Sequence, residues 1–328
     1  MTKPKHLYID FSYACHRLLH SVKPFIIQAQ TMNEENLGED DYEVIDEYAT
    51  LRDAVLNHIF DLIAAYTPDE VVIACDHKKS WRKKYYEGYK AQRKEVREKS
   101  DLNYNNFYAF LNEFILEIQL YLPMVTLLVP NLEGDDIIAQ LVKTHHQNND
   151  IIFVTADQDY YQLMQYDNVK MYDSLKKVMI EKTRAEALND LKVKILMGDK
   201  SDNIPACQPK LGVKTAEKLL LGEEWKKQTL DDLMLNEEFS ENFKRNTHLI
   251  DMNNCPSKLV DLMNKQLEDY EYVGIDKLFE YFRSKKLRDL LGRTSQISKM
   301  LKRVVSYHNG EVLSREEVSD FQELFSES

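Results

Sequence analysis

An α/β fold, with a central sheet of parallel type flanked by helices and a helical region after it, is predicted by three observations. Four short, nearly continuous apolar runs stand in the first half of the chain: Leu7-Tyr8-Ile9, Val71-Val72-Ile73-Ala74, Val125-Thr126-Leu127-Leu128-Val129 and Ile151-Ile152-Phe153-Val154. Stretches with helical spacing lie between them, over residues 48–65, 107–121 and 135–146. After about residue 182 the strand signal stops. Unbroken apolar runs mark strands covered on both faces, and strand–helix–strand repetition implies parallel pairing through right-handed crossovers. Beyond the last run, helices are expected over residues 184–197, 213–221, 230–235, 238–250, 257–267, 275–291 with a break, and 295–307. Residues 22–44 are polar and lack clear periodicity, so they are expected to form a long loop or an insertion. The predicted organisation is an α/β domain over 1–190, a helical region over 191–308 and a tail over 309–328.

Composition narrows the class. With 43% hydrophobic and 30% charged residues, the 328-residue chain is ordinary for a soluble globular protein. No apolar run approaches the roughly 20 residues that span a bilayer, and the N-terminus carries no secretory apolar segment. Cys15, Cys75, Cys207 and Cys255 form no CxxC pair, and the nine histidines show no HExxH grouping. Both facts favour a reducing cytoplasm and argue against a zinc site. The net charge of −12 hides two strongly basic segments. Residues 78–99 hold ten Lys/Arg against three Glu, and residues 283–303 hold eight against Asp289 alone. Such patches are the electrostatic footprint of a nucleic-acid partner.

The acids carry the chemistry. Asp10 follows the first apolar run directly, and Asp76 follows the second beyond Cys75. Glu133, Asp135 and Asp136 open the helix after the third; Asp157 and Asp159 come just after the fourth. Strand ends of a parallel sheet emerge on one edge, where open α/β folds place their sites. Singly, each acid is explained by helix capping or the helix dipole. Gathered together, carboxylates need cations or sharply raised pKa values. All-oxygen donors select hard ions, so Mg²⁺ is expected, with Mn²⁺ as a substitute. So many acids favour two ions, the arrangement that stabilises attacking and leaving oxygens of a phosphodiester displacement.

The runs Leu7-Tyr8-Ile9-Asp10-Phe11-Ser12, Glu133-Gly134-Asp135-Asp136, Thr155-Ala156-Asp157-Gln158-Asp159 and Gly198-Asp199-Lys200-Ser201-Asp202-Asn203-Ile204-Pro205, with the Asp76 strand end and its basic sequel, occur in one order over residues 6–305. In this the chain resembles the 5′ nucleases, the flap-endonuclease and 5′→3′ exonuclease family that includes the T-even phage ribonucleases H. The resemblance implies a fold of the 5′ nuclease or PIN-like kind and adds Asp199 and Asp202 to the acids. It implies that Asp10, Asp76, Glu133, Asp135 and Asp157 surround a first ion. Asp159, Asp199 and Asp202, sharing Asp157, would surround a second, with Asp136 acting directly or through water. An N-cap role for Asp202 is compatible with this. The implied activity is cleavage near 5′ ends of flaps, forks, duplexes and RNA–DNA hybrids, as in removal of lagging-strand primers during phage replication.

In the basic segment, Arg82, Tyr86, Tyr89, Lys90, Arg93 and Arg97 recur at three- and four-residue steps, so a helix would place them on one face. Cations for phosphates and tyrosines for unpaired bases suit a single strand, and Gly88 would loosen such a helix. The segment resembles the family's arch, over about 77–103, in which Lys90 and Arg93 match the cations nearest the scissile phosphate. Lys90, Arg93 and Asp157 are therefore the expected catalytic residues. Residues 203–216 resemble a helix-turn-helix variant that grips duplex phosphates through Lys210, Gly212, Lys214 and Thr215. They imply a K⁺ site there, although Ala206 and Lys210 stand where the family has glycines. The stretch Asp320-Phe321-Gln322-Glu323-Leu324-Phe325-Ser326 either docks in a sliding-clamp groove or packs as a last helical turn. A single-stranded-DNA-binding protein is a further expected partner, with the enzyme a monomer. Alternatives are a PIN-type single-strand nuclease, a non-catalytic branched-DNA-binding factor and a Ca²⁺-stabilised interaction protein.

Overall fold

The computed structural model describes residues 3–36 and 43–310. The segment predicted to dock a clamp lies outside the described residues. Two compact units make up the chain, each assembled from separate stretches. Met1–Cys75, Ser100–Leu127 and Gln266–Ser328 form the first, and Asp76–Lys99 with Leu128–Lys265 the second.

In the first unit, β1 (Lys5–Asp10), β2 (Glu70–Ala74) and β3 (Val125–Leu127) pair in parallel, with Leu7 opposite Val71 and Ile73 opposite Thr126. Every residue of the three except Lys5 is buried, as unbroken apolar runs require. Helices Ala49–Tyr66 and Tyr104–Tyr121 stand where the periodicity predicts them. Of residues 22–44, predicted to form a loop or insertion, 22–35 differ from expectation, and 37–42 lie outside the described residues. Phe11–Glu35 is one helix that continues through Pro24, burying Val22, Ile26 and Ala29. Those three keep helical spacing, but Pro24 and the polar residues around them disguise it.

In the second unit, β4 (Asp150–Thr155) and β5 (Val169–Asp173) are parallel, and β6 (Val178–Ile180) returns antiparallel to β5. Neither β5 nor β6 was anticipated. Strand β5 buries alternate residues, a weaker signal than an apolar run, and β6 is three residues long with no buried side chain. The architecture is the predicted one: α/β, mostly parallel, with flanking helices. Helix Arg184–Met197 starts at a capping box between Thr183 and Glu186, and helices Val213–Leu220 and Glu237–Ile250 pack on it. The expected break in 275–291 falls between Leu278–Ser284 and Arg288–Gly292, where Lys286 takes a φ of 56°. No described helix is long and apolar enough to cross a membrane.

The second basic stretch is largely spent on the fold. Lys285 pairs with Glu113, Lys286 with Glu43, Arg293 with Asp61 and Arg303 with Asp69. Nearby, the buried Arg52 guanidinium donates to both oxygens of Glu117, at 2.9 and 3.3 Å, and pairs with Asp46. Tyr281 donates to Glu117 at 2.8 Å, and Phe110 lies 5.2 Å from the guanidinium. Removing Glu117 leaves the buried Arg52 charge with Asp46 as its remaining carboxylate partner. Glu117→Leu is therefore expected to lower unfolding free energy by about 3 kcal/mol in urea titrations. Adding Arg52→Met should restore more than half of the loss. A single substitution without measurable cost would contradict the assignment.

Candidate active site

Asp10 ends β1 in the first unit. Its carboxylate accepts from the Tyr13 amide at 3.0 Å and caps the Phe11–Glu35 helix. The other predicted acids belong to the second unit, and their sequence positions explain their orientation. Glu133 is the N-cap of helix Gly134–His145, joined to Asp136 by a capping box. Asp76 accepts from the amide of Gly134 at 2.7 Å, at the start of that helix. Asp157 caps the short 3-10 helix Gln158–Gln165, accepting from the Asp159 amide at 2.9 Å.

The acids gather in two triads. Glu133, Asp135 and Asp136 each offer an oxygen within 4.8 Å of the others, and so do Asp159, Asp199 and Asp202. Each triad is laced with cations. Arg82, only 2% exposed, reaches Glu133 at 2.9 Å and Asp136 at 2.9 Å. Lys90 donates to Glu133 at 2.6 Å and lies 3.7 Å from Asp202, so its ammonium touches both groups. Arg93 pairs with Asp202 at 2.8 Å. Lys194 pairs with Asp159 and, at 2.9 Å, with Asp199.

Titration behaviour follows from this traffic. Burial pushes Glu133 upward, but Lys90 and Arg82 overcome it and hold the carboxyl down to about 2. Asp136 is fully buried, and despite Arg82 it is pushed up to about 7. Lost hydration and then Glu133 raise Asp76, although the residue keeps a solvent-exposed face. Asp157, also exposed, is raised by its packed surroundings first; Lys194 and Lys90 oppose this, while Asp135 and Asp199 add to it. Asp199 is held low: Lys194 and the Ser201 hydroxyl outweigh its burial.

The basic segment is not one helix. Arg82–Tyr85 and Arg93–Glu98 are short helices separated by a turn in which Lys90 adopts a φ of 54°. Arg82 and Tyr89 therefore do not share an outer face with the rest. Arg82 is buried against the acids; Tyr89, 1% exposed, packs with Leu191, Ile195 and Ile204 and donates to Glu133 at 2.9 Å. Both depart from the shared outer face that the spacing predicts, because each is desolvated and held by the acids. Tyr86 is half-buried beside Arg245, while Arg93 and Arg97 are exposed. Gly88 serves the turn itself: a Cβ there would sit 2.7 Å from the Tyr86 ring.

This turn docks on residues 199–203. The Lys90 amide donates to the Asp202 carbonyl at 2.9 Å, Gln92 to the carbonyls of Lys200 and Ser201, and Asn203 to the Gly88 carbonyl at 2.7 Å. Asp202 caps no helix. Instead Asp199 and Ile204 close a tight turn through paired backbone hydrogen bonds of 2.8 and 2.7 Å. Arg245 and Asn246 hold the next carbonyl, that of Pro205, at 3.2 and 2.9 Å. Helix Val213–Leu220 follows, with Lys210, Gly212 and Lys214 exposed and Thr215 half-buried, and Ala216 and Leu219 packed on Leu196. Lys210 itself takes the left-handed conformation (φ 70°) where a glycine was expected.

Several participants carry no sequence signal. Lys194 sits in the last turn of helix Arg184–Met197, where a lysine is common, and belongs to no motif. Ser80, Gln92, Arg245 and Asn246 are ordinary polar residues until the chain folds. Only Lys194 had a local clue: it lies five residues before Asp199, on the helix that delivers the turn.

Mostly parallel strands with carboxylates grouped beyond their ends define an α/β nuclease. The chain belongs to the 5′-3′ exonuclease family: residues 9–198, more than half of it, match that family's N-terminal resolvase-like domain. The ribonuclease H of Enterobacteria phage T4 is 26% identical over 253 residues, covering 71% of this chain and 81% of that protein. A thermostable DNA polymerase I of Thermus aquaticus is 32% identical over 164 residues, 48% of this chain and 18% of the polymerase. The phage T5 D15 protein crystallised with metal ions shares the fold, with a TM-score of 0.56 at 17% identity over 87% of this chain and 99% of that one. A T5 D15 flap-endonuclease complex with DNA and metal ions gives 0.55 at 15% identity, over 92% and 99%.

Gly198 makes the tight turn possible. Its φ is 69°, and an added Cβ would meet the Ile204 carbonyl oxygen at 2.4 Å and Pro205 at 2.5 Å. Gly198→Ala is expected to cost more than about 1 kcal/mol of stability in thermal unfolding. An unchanged melting temperature would show that the turn carrying Asp199 and Asp202 tolerates a side chain.

Proposed function

We propose that this enzyme is a two-metal 5′ nuclease, a 5′→3′ exonuclease and flap endonuclease with ribonuclease H activity. Its substrates on this reading are duplexes, forks and RNA–DNA hybrids, and its task is primer removal in phage replication. The observation that supports it most is the pair of carboxylate triads in one unit with Lys90 touching both. Their all-oxygen donor sets fit Mg²⁺, with Mn²⁺ as a substitute.

Glu133, Asp135 and Asp76 would hold one ion, with Asp10 from the end of β1. Asp159, Asp199 and Asp202 would hold the other, with Asp157 shared. Ions so bound would neutralise the acids, activate water and stabilise charge on the attacking and leaving oxygens. Asp136 serves differently on this reading: fully buried, it accepts from Trp81 at 3.1 Å and from Arg82, and so fixes the base of the arch. Lys90 and Arg93 would leave Glu133 and Asp202 for the oxygens of the scissile phosphate, where a fixed cation offsets developing charge. Tyr86 and Arg97 would contact the 5′ strand, and Lys210, Gly212, Lys214 and Thr215 the duplex phosphates.

In this assignment residues 1–190 form the α/β nuclease domain, with the arch at about 77–103, and Asp199 and Asp202 join its site from the turn that follows. Residues 191–308 form the DNA-binding region, and 309–328 is a C-terminal tail that either packs as a last helical turn or docks in a sliding-clamp groove. The chain acts as a monomer in the cytoplasm of the host, alongside a single-stranded-DNA-binding protein. The K⁺ implied at the hairpin is a secondary part of the proposal. Equal duplex affinity in KCl and NaCl would remove it.

Incubating a 5′-labelled fork and an RNA–DNA hybrid with the enzyme should give short 5′ products in Mg²⁺ and none in EDTA. Metal-independent or 3′-end cleavage would refute the reading. Lys90→Ala is expected to slow single-turnover cleavage well over tenfold while leaving metal uptake intact. An unaltered rate would remove Lys90 from the chemistry. Asp157→Asn should bind forks without cutting them.

A further inference from the structure

Among the described residues, Lys194 is the cation at the acids that lies outside every motif. It projects from helix Arg184–Met197, whose neighbouring residues Val193, Leu196, Leu191 and Ile195 are packed into two apolar clusters of the second unit. The backbone at 194 is therefore fixed, and only the side chain is able to swing. Its ammonium pairs directly with Asp159 and lies 2.9 Å from Asp199 Oδ2, with the side chain 24% exposed. Asp202, the third member of the triad, pairs instead with Arg93 and Lys90. Lys194 thus pairs with two of the three acids whose oxygens converge within 4.8 Å.

A hard divalent ion coordinated by the same oxygens takes them at about 2.0–2.1 Å for Mg²⁺. An ammonium within hydrogen-bonding distance of both carboxylates fills that same volume, so the two cations exclude one another. Each removes the same mutual repulsion, the ammonium with one charge and a flexible stem, the ion with two charges.

We propose that Lys194 is the built-in counter-ion of the Asp159–Asp199–Asp202 triad, and that a divalent ion enters there by displacing its ammonium. The inference rests on the two-metal reading and adds to it a residue that sets occupancy of the second position. Lys194 keeps the triad compact without metal and weakens metal uptake there, while the Glu133 triad pairs with Lys90 and Arg82 instead. Once displaced, the ammonium stays tethered beside the site. It is a positioning residue in this account, acting through the acids.

The test is titration calorimetry of the intact protein with Mn²⁺ alone. Wild type, Lys194→Met and Lys194→Arg are compared. Lys194→Met is expected to tighten one binding class at least tenfold and leave the other within threefold. Lys194→Arg, which keeps the charge, should remain within threefold of wild type for both. Lys194→Gln replaces the Met variant if the latter does not fold, with the same expectation. In EDTA the neutral variants should melt below wild type, and Mn²⁺ should raise their melting temperature by more than it raises that of wild type. Equal or weaker Mn²⁺ binding in the neutral variants overturns the role of Lys194 while leaving two metal positions standing. No Mn²⁺ uptake by any of the proteins overturns the two-metal reading itself, and this inference with it.

Discussion

Carboxylates held close together repel, and the second unit is organised around neutralising that repulsion. Arg82, Lys90, Arg93 and Lys194 each pair with at least one member of the two triads. At an effective dielectric constant near 20, two like charges 4 Å apart cost about 4 kcal/mol, so a triad without cations would open or protonate. The same crowding gives neighbours opposite fates. Glu133, reached by Lys90, Arg82, Ser80 and Tyr89, stays ionised. Asp136, sealed from water one helical turn away, is raised to about 7. One acid remains a strong ligand, and the other anchors the arch.

The arch and the acids are consequently one assembly. Its turn is fixed by the left-handed Lys90, by Tyr86 lying over Gly88, and by backbone hydrogen bonds to residues 200–203. The cations most suited to a substrate phosphate are parked on the acids that would hold metal. Arrival of metal and arrival of substrate therefore bear on the same ion pairs. Buried ion pairs of this sort give little net stability against apolar packing, which is consistent with a functional reason for keeping them.

Much of the scaffold was legible in the sequence because burial leaves a direct imprint. Continuous apolar runs located β1 to β4, and acids directly after them located most of the two triads. Strands β5 and β6 escaped because one alternates and the other is short and unburied. Residues 22–35 escaped because helical spacing was diluted by polar residues and Pro24. The arch shows the limit of periodicity most clearly. Residues at helical steps from Arg82 to Arg97 predict one face, but tertiary demand for charge compensation turns Arg82 and Tyr89 inward and breaks the helix at Lys90. Lys194 was invisible because a lysine in the last turn of a helix is ordinary, and only its neighbours in space give it a role.

The central claim is that these acids stand together because divalent ions belong among them. Anomalous diffraction from Mn²⁺-soaked crystals tests it most directly. The account predicts two manganese peaks, one bounded by Asp76, Glu133 and Asp135 and one by Asp159, Asp199 and Asp202, with the Lys194 ammonium moved off the second. Crystals with no peak at either position, and Lys194 still seated on Asp159 and Asp199 at saturating Mn²⁺, would contradict it.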